Sequence, residues 1–333
     1  MPRKILLTLF IFALFLFLYF VSALYCFFHV PLIAKNSETA IKVYPNQNLQ
    51  QLSERLVQQH IIRHPGFFEW VVEISGNVGH LRYGEYQIRY PLTAWQLLNN
   101  LKSGTGLVVH RLTIVNGWTF HNIRQAILND ENFNHTVNKE DDQAILTALG
   151  STQKNLEGLF YPDTYFFTWG NSDMTVLKTA YQKMQTVLEK NWENRAPNLL
   201  YQNAYQALIV ASLIERETAV DAEKPIIASV ILNRLKKNMR LQIDPTVQYA
   251  VNQTFGGVIT KKELETKSPY NTYLIFGLPP TPICMPSESS IVAALHPADT
   301  NYLYYVATGT GGHNFSVDYA DHEKQVTEYR NQI

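Results

Sequence analysis

The stretch "LIVASLIERETAV", Leu208–Val220, decides how the fold of this chain is interpreted. Its first seven residues carry no charge, and the Ser212 hydroxyl is the single polar group among their side chains. A segment that is apolar on all sides is typical of a helix buried in a core. Glu215, Arg216 and Glu217 then follow within one turn, so the sequence predicts carboxylates at the end of a buried helix.

The two glutamates of this turn point in different directions. At about 100° per residue, Glu215 shares a face with Leu208 and Ser212, whereas Glu217 points about 200° away. They therefore cannot share one role. Burial raises the pKa of a carboxyl group, as a general acid that works near neutral pH requires. We expect at least one of them to lie inside the protein or in the wall of a cleft.

Ordinary structural roles remain open for these residues and for two later ones. Either glutamate is also explained by an ion pair with Arg216, Arg234 or Lys224. Asp244 precedes a proline, which is the usual start of a helix with Asp as N-cap. His313 lies in a glycine-rich turn and is either a catalytic base or a hydrogen-bonding loop residue.

Composition excludes several classes of function. With 28 basic and 28 acidic residues the net charge is zero, so no polyanion-binding surface is predicted and nucleic acid is not an expected partner. The two cysteines, Cys26 and Cys284, lie in an apolar run and a proline-rich loop, and we expect no disulfide between them. No cluster of ligands at metal-binding spacing appears, so neither a metal nor a cofactor is predicted.

The N-terminus predicts a membrane anchor. The run "ILLTLFIFALFLFLYFVSALYCFF", Ile5–Phe28, is uncharged, and about 20 apolar residues suffice to cross a bilayer. Arg3 and Lys4 precede it, which puts the N-terminus in the cytoplasm and the rest outside. A cleaved signal peptide ending near Ala23 is the alternative, but the apolar run continues to Phe28 and favours an uncleaved anchor. Residues 1–30 are thus predicted as a single-pass anchor.

Beyond the anchor, periodicity predicts two domains of an α+β protein. Residues 38–105 follow a strand, helix, helix, strand order and end in a helix, Thr93–Gly104. Residues 106–333 form a larger mixed domain. Its predicted elements are a strand at Leu107–Trp118, a loop at 131–142, helices at Met174–Glu193 and Ala222–Asn238, a hairpin at Asn301–Ser316 and a terminal helix at Asp318–Ile333.

Five motifs in this order resemble the YceG-like family of endolytic murein transglycosylases, also called MltG. They read "LEGLFYPDTY", "ASLIERETA", "ASVILNRLKKNMRLQIDPTVQY", "YNTY" and "GLPPTPICMPSESSIVAALHPADTNYLYYVATGTGGHNFS". The opening "IKVYPNQNLQQLSERL" of the small domain also resembles LysM domains, which bind amino-sugar glycans. A βααβ spacer that binds nothing is the alternative for this domain.

The resemblance implies a membrane-anchored enzyme at the inner membrane with its catalytic domain in the periplasm. Such an enzyme cuts the β-1,4 bond between N-acetylmuramic acid and N-acetylglucosamine in nascent peptidoglycan strands. It leaves 1,6-anhydro ends, and peptidoglycan synthases are the implied partners. No cofactor is implied.

The resemblance also implies site residues. The family's catalytic glutamate matches Glu215. Positions expected to line the substrate cleft match Glu157, Asp163, Gln242, Asp244, Thr246, Asn271, Tyr273 and His313. One departure is the segment Asn116–Trp118, where the family often has a glutamate before the glycine.

Two other functions remain open at this point. One is a muramidase that uses water, with Glu215 as acid and Asp244 as base. The other is an inactive glycan-binding scaffold that recruits wall synthases through its LysM-like domain. A muramidase would leave reducing ends on its products instead of 1,6-anhydro ends. A scaffold would keep its function when Glu215 is replaced.

Overall fold

The computed structural model describes residues 3–32, 38–76, 79, 81–136, 141–253 and 255–331. The predicted α+β class is confirmed: the described residues form thirteen α-helices and six strands in three two-stranded sheets. They divide into two compact units. The first contains Met1–His110, Glu131–Asn134 and Phe166–Ser172, and the second contains Arg111–Asp130, His135–Tyr165 and Asp173–Ile333.

The first unit has the predicted βααβ order behind its apolar N-terminal helix. Its elements are α1 (Arg3–His29), β1 (Glu38–Val43), α2 (Leu49–Gln58), α3 (Pro65–Ile74), β2 (Gly84–Arg89) and α4 (Ala94–Ser103). Strands β1 and β2 pair antiparallel, with Ile41 opposite Tyr86 in the buried centre of the sheet. The likeness of this unit to LysM domains stays a prediction.

Local sequence explains where α2 and α4 begin. Asn48 and Thr93 are N-caps, and each forms a capping box with a glutamine three residues later. The apolar faces of α2, α3 and α4 then close over the sheet, with Leu56, Val72 and Leu97 fully buried. Each buried side chain of this size stabilises the unit by about 1.5–3 kcal/mol.

Helix α1 combines a long apolar stretch with a contact to the folded unit. Ile5–His29 is long and apolar enough to cross a membrane, and it is the one such helix in the described part of the chain. Near its end, Phe27 is buried in the same core as Leu56 and Val72. The last turns of α1 are therefore part of the first unit's core.

The second unit is mainly helical. Its elements continue as α5 (Phe120–Leu128), α6 (Asp142–Leu149), α7 (Asp173–Glu193), α8 (Ala204–Glu217), α9 (Lys224–Lys236), α10 (Asp244–Ala250), α11 (Lys261–Leu264), α12 (Glu288–Leu295), β5 (Tyr304–Ala307), β6 (His313–Ser316) and α13 (Tyr319–Arg330). Strands β3 (Val109–Thr113) and β4 (Thr164–Thr168) pair, and the boundary between the units falls within both strands.

Several predicted elements are shorter than expected. The strand predicted at Leu107–Trp118 ends at Thr113, because a turn follows in which Gly117 takes a φ of 78°. Part of the predicted loop at 131–142 lies outside the described residues. The predicted helix at Ala222–Asn238 opens with a 3-10 turn and then runs from Lys224 with Pro225 in its first turn. The division into functional domains at 1–30, 38–105 and 106–333 stays a prediction.

The predicted buried helix is confirmed as α8. Asn203 caps its start, and every residue from Ala207 to Ile214 is buried. The Ser212 hydroxyl donates to the Ile209 carbonyl at 2.7 Å and accepts from the Ile283 amide at 3.0 Å, so the single polar group of the stretch is satisfied. A helix packed on all sides holds the residues at its end in fixed positions.

Candidate active site

A cleft in the second unit begins where α8 ends. Its volume is about 460 Å³, within the usual range for small-ligand sites. Glu217 forms part of its wall together with residues of α9, α10, α13 and the β5–β6 hairpin. The other lining residues are Arg234, Leu241, Gln242, Asp244, Tyr273, Tyr304, Tyr305, Val306, Ala307, His313, Tyr319 and His322.

The carboxyl group of Glu217 has a strongly perturbed acidity. Its pKa is raised from the ordinary 4.5 to about 8, chiefly by desolvation in the cleft wall and also by the negative charge of Asp244. A hydrogen bond with the Tyr305 hydroxyl and the positive charge of Arg234 oppose this shift only in part. At neutral pH the group is therefore mostly protonated and able to donate a proton.

Arg234 is a buried cation that organises the floor of the cleft. Its Nε donates to the Leu303 carbonyl at 2.6 Å, and its Nη1 donates to the Leu241 carbonyl at 2.8 Å and to Gln242 Oε1 at 3.2 Å. Gln242 itself has a φ of 51°, a conformation uncommon for a residue with a side chain. Arg234 thus fixes one predicted cleft residue and places a positive charge near Glu217.

Asp244 and Tyr273 form a hydrogen-bonded pair in the same cleft. The Tyr273 hydroxyl donates to Asp244 Oδ1 at 2.5 Å. The N-cap role considered for Asp244 is wrong, because Asp244 is already the first helical residue of α10 and Ile243 occupies the cap position without a side-chain bond. The Asp244 carboxylate is instead turned to Tyr273. Asn271 supports this pair, since its Oδ1 accepts from the Tyr273 amide at 3.0 Å.

His313 is held in place by Glu223. Its Nδ1 lies 2.8 Å from Glu223 Oε2, and its backbone amide donates to Glu223 Oε1 at 2.8 Å. Although desolvation raises the pKa of Glu223, the hydrogen bonds from His313 and Thr218 lower it below its ordinary value overall. An ionised carboxylate only accepts, so Nδ1 carries the proton, and the other ring nitrogen is left for a ligand in the cleft.

The glycine-rich turn explains how Glu223 comes so close to the hairpin. A Cβ atom on Gly312 would lie 2.7 Å from Glu223 Oε1, which is closer than a real contact allows. The absence of a side chain at Gly312 therefore permits the two hydrogen bonds to His313.

Glu215 has a different environment from Glu217. Its Oε2 accepts from the Ser287 amide at 2.9 Å, from the Ser290 hydroxyl at 2.6 Å and also from the Ser287 hydroxyl. The buried Lys224 ammonium lies 3.8 Å away. Glu215 thus joins the end of α8 to the start of α12 and of α9, and it is not among the residues that line the cleft. The ion pair considered from the sequence is present for this glutamate.

The remaining predicted site residues also lie outside the cleft lining. Glu157 is buried, where it accepts from the Phe120 amide and the Tyr249 hydroxyl, and desolvation raises its pKa to about 8. Asp163 is exposed and pairs with Lys183, whose hydrogen bond lowers its pKa.

Thr246 and Asn271 are fully buried in the packing beneath the cleft. Thr246 shares a hydroxyl hydrogen bond with Thr272 at 2.8 Å, and the amide group of Asn271 donates to the Leu264 and Thr266 carbonyls. Of the nine residues named from the sequence, the structure therefore brings Gln242, Asp244, Tyr273 and His313 together.

Sequence reasoning missed Glu223 and Tyr305 and treated Arg234 only as an ion-pair candidate. It left open whether Glu215 or Glu217 would lie in a cleft wall, and the resemblance then favoured Glu215. The available signal was the tyrosine-rich stretch "YLYYVA" before the glycine turn, which supplies Tyr304 and Tyr305, both of which line the cleft. Nothing in the sequence relates Glu223 to His313, which lies 90 residues later. No group of three or more His, Cys, Asp or Glu residues suited to a metal occurs in the described ranges.

This fold and cleft define the class of protein. Residues 41–328 match the model of the YceG-like family, so the chain belongs to that family. A crystal structure of a YceG-like protein from Listeria monocytogenes is similar at a TM-score of 0.57 and 26% identity, covering 86% of this chain and 98% of that one.

Two curated relatives carry a more specific name. A Bacillus subtilis protein named endolytic murein transglycosylase is 29% identical over 89% of this chain and 87% of its own length. A Streptococcus pneumoniae protein of the same name is 27% identical over 85% of this chain, but the match spans only 57% of that longer protein.

Proposed function

We propose that this chain is a lytic transglycosylase that acts on peptidoglycan and uses Glu217 as its acid and base. The observation that supports this proposal is a carboxyl group with a pKa of about 8 in the wall of a polar cleft. The names of the relatives support the substrate: murein glycan strands. The finer proposal is cleavage of the MurNAc-β-1,4-GlcNAc bond within nascent strands, which ends their elongation.

The chemistry requires one titratable group in two successive roles. Protonated Glu217 donates its proton to the glycosidic oxygen as the bond from that oxygen to C1 of MurNAc breaks. The Glu217 carboxylate then takes the proton of the C6 hydroxyl of the same MurNAc, and that oxygen bonds to C1 and closes the 1,6-anhydro ring. Glu217 ends the cycle protonated, and no water is consumed. The nucleophile belongs to the substrate, so it needs orientation more than activation.

The neighbours of Glu217 suit these two roles. The negative charge of Asp244 raises the proton affinity of Glu217, which keeps Glu217 protonated before the first step. Once Glu217 has given up its proton, the Tyr305 hydrogen bond and the charge of Arg234 stabilise the resulting carboxylate. Asp244 is also placed to stabilise positive charge that develops on the sugar ring. Gln242 and His313 offer hydrogen-bonding groups for sugar hydroxyls or the N-acetyl group.

The assignment to Glu217 differs from the sequence prediction of Glu215. That prediction stays untested, but the two environments favour Glu217. Glu215 Oε2 already accepts three hydrogen bonds and has an ammonium partner, so this carboxyl group holds the end of α8 to α9 and α12. Glu217 faces open space large enough for a sugar.

We further propose that α1 anchors the enzyme in the bacterial cytoplasmic membrane with the cleft on the periplasmic side. The uncharged length of Ile5–His29 supports a single span, and the cations before it support this orientation. An anchor keeps the cleft near strands that are still attached to the membrane. Peptidoglycan synthases, which make those strands, are the proposed partners.

A muramidase that uses water is the second candidate function. The presence of Asp244 in the same cleft favours it, since hydrolases pair an acid with a second carboxylate. In such a muramidase Asp244 would activate water as the base. Glu217 would be the acid, in place of Glu215, which the sequence predicted for that role.

Product analysis tests both candidates and the scaffold function. The full chain in detergent is incubated with un-crosslinked glycan strands in ¹⁸O-labelled water, and product ends are identified by mass spectrometry. Anhydro ends without label support the transglycosylase. Labelled reducing ends would replace it by the muramidase, and binding without cleavage by folded protein would leave the scaffold.

A further inference from the structure

The apolar helix α1 does not simply lead into the first unit; aromatic side chains pack the two together. The ring of Phe27 lies 5.8 Å from that of Phe67 and 6.2 Å from that of Phe68, both in the first turn of α3. Phe28 lies 5.2 Å from Trp95 at the start of α4. These contacts make α1 and the βααβ fold one body within the first unit.

The contacts extend further down α1, toward the middle of its apolar run. Phe20, about two turns before Phe27, packs edge-on against Phe67 at 6.1 Å and against Trp70 at 5.5 Å. Tyr19 is likewise 6.5 Å from His64, which caps α3. The first two turns of α3 therefore run alongside a part of α1 that lies well before its end.

The length of α1 sets the depth of this contact, if α1 spans the membrane as proposed above. The uncharged run begins at Ile5, directly after two cationic residues in the sequence, so Ile5 is taken as the start of the hydrocarbon. At about 1.5 Å per residue Phe20 lies about 22 Å further along the axis. The hydrocarbon is about 30 Å thick, so Phe20 lies inside its outer boundary, and a tilted helix would place it deeper. Phe27, about 33 Å from Ile5, lies just beyond the boundary.

The surface of α3 suits this depth. Trp70 is 40% exposed although it packs on Phe20, and Ile74, one turn later, is 62% exposed. Tryptophan is enriched, together with tyrosine, where hydrocarbon meets headgroups, because its ring is apolar and its N–H is polar. Arg63, just before α3, is exposed, and no ion pair involves it among the residues described here. Its charge is thus available to lipid phosphates.

We propose that the first unit is seated in the outer leaflet, with Phe67 and Trp70 of α3 inserted at the boundary between headgroups and acyl chains. Lipid is the partner that covers the exposed surface of Phe67 and Trp70. The unit would then be a second, interfacial contact with the membrane rather than a domain held above it by a tether. This inference rests on the proposed anchoring by α1 but not on the proposed catalysis.

The test is depth-dependent fluorescence quenching of Trp70 in the full chain. The protein is placed in vesicles of phosphatidylethanolamine and phosphatidylglycerol that contain lipids brominated either near the headgroup or near the end of the acyl chain. Phenylalanine replaces the other four tryptophans, which are Trp95, Trp118, Trp169 and Trp192. We expect strong loss of Trp70 fluorescence with the shallow label and a smaller loss with the deep label.

A second single-tryptophan chain that keeps Trp169 is the matched control. Trp169 belongs to the same unit but packs on Tyr44 and Lys42, away from the aromatic contacts with α1. It should show no quenching by either label. If the multiply substituted chain does not fold, the native chain is compared with its Trp70→Phe variant. The part of the fluorescence that the shallow label quenches in the native chain should then be missing from the variant.

Flotation of the same vesicles separates the two ways to fail. Protein that floats while Trp70 is no more quenched than Trp169 would overturn the seating of the first unit and leave the anchor intact. Protein that does not float would overturn both the anchor and the seating. Cleavage of glycan strands by the detergent-solubilised chain is unaffected by either result.

Discussion

Glu215 and Glu217 lie two residues apart on α8 and have opposite environments. The Glu215 carboxylate is occupied by Ser287, Ser290 and Lys224, whereas the Glu217 carboxyl faces the cleft with a pKa raised to about 8. Because a helix turns about 100° per residue, such neighbours face nearly opposite sides. One glutamate therefore supports the fold and the other is available for chemistry.

The first prediction separates these two roles by matched substitutions. Glu217→Gln removes the titratable group, so we expect the rate of glycan cleavage to fall about 10²–10⁴-fold with little loss of thermal stability. Glu215→Gln removes the carboxylate charge that Ser287, Ser290 and the buried Lys224 contact at the end of α8, and leaves Lys224 with Asp221 as its carboxylate. We therefore expect a lower melting temperature, and we expect cleavage to persist at temperatures where the variant stays folded. Loss of cleavage in a stable Glu215→Gln protein, with normal cleavage by Glu217→Gln, would restore the sequence prediction.

The second prediction concerns the pH dependence of cleavage. Glu217 must be protonated to act as acid, so we expect kcat/KM to decline as pH rises through about 8. Asp244→Asn removes a negative charge that raises the pKa of Glu217, and this decline should then move to lower pH. The readout is the pH at which the decline occurs and not the absolute rate, because Asp244 also lines the cleft and its substitution can change the rate directly.

Tyr273→Phe is the control for this shift. It removes the hydroxyl that donates to Asp244 but leaves the charge of Asp244 in place. We expect a smaller displacement than that of Asp244→Asn. Equal pH profiles for the native chain and Asp244→Asn would mean that Asp244 does not set the acidity of the catalytic group.

The third prediction concerns Glu223 as a positioning residue for His313. Glu223→Ala removes both acceptors that hold the His313 ring and amide, so we expect kcat/KM to fall about tenfold or more. Glu223→Gln keeps one acceptor oxygen and should recover part of this loss. Nitrogen NMR of labelled histidine gives a readout specific to positioning, since the ring should lose its fixed tautomer in Glu223→Ala.

Asp221→Asn provides the comparison for Glu223. Asp221 lies in the same 3-10 turn and is exposed, but it contacts Lys224 and Ser289 instead of His313. Its substitution should leave both cleavage and the histidine signals unchanged. A fall in rate equal to that of Glu223→Ala would indicate a general disturbance of this turn.

The sequence predicts the scaffold of the site better than its chemistry. The uncharged stretch before Glu215 predicts α8 correctly, and the glycine turn predicts the hairpin that carries His313, because both depend on local patterns. Helical spacing also separates Glu215 from Glu217. It does not say which of the two meets the cleft, since that depends on where α9, α12 and the hairpin pack.

The cleft residues expected from the family resemblance also divide into residues that line the cleft and residues that support it. Gln242, Asp244, Tyr273 and His313 line the cleft, whereas Thr246 and Asn271 support it from beneath. Both kinds of residue belong to the same short motifs. Only the fold distinguishes a side chain that faces a ligand from one that positions its neighbour, as Asn271 does for Tyr273.

The fourth prediction concerns the contribution of Glu217 to stability. Its pKa is about 8 in the folded chain against an ordinary 4.5, so between these values the folded state binds more protons than the unfolded state. The free energy of unfolding must then fall as pH rises through this window, by an amount on the order of a few kcal/mol. Glu217→Gln removes this dependence, and we expect the variant to melt above the native chain at pH 8 but close to it at pH 4.5.

Glu157→Gln completes this comparison. Burial raises the pKa of Glu157 to about 8 as well, so its substitution should reduce the pH dependence of the melting temperature in the same direction. Glu157 lies outside the cleft lining, and its variant should keep most of the cleavage activity that Glu217→Gln loses. Melting curves and cleavage rates of both variants at pH 4.5, 6.5 and 8 test this. Equal loss of cleavage in the two variants would support the substrate role predicted for Glu157 from the sequence.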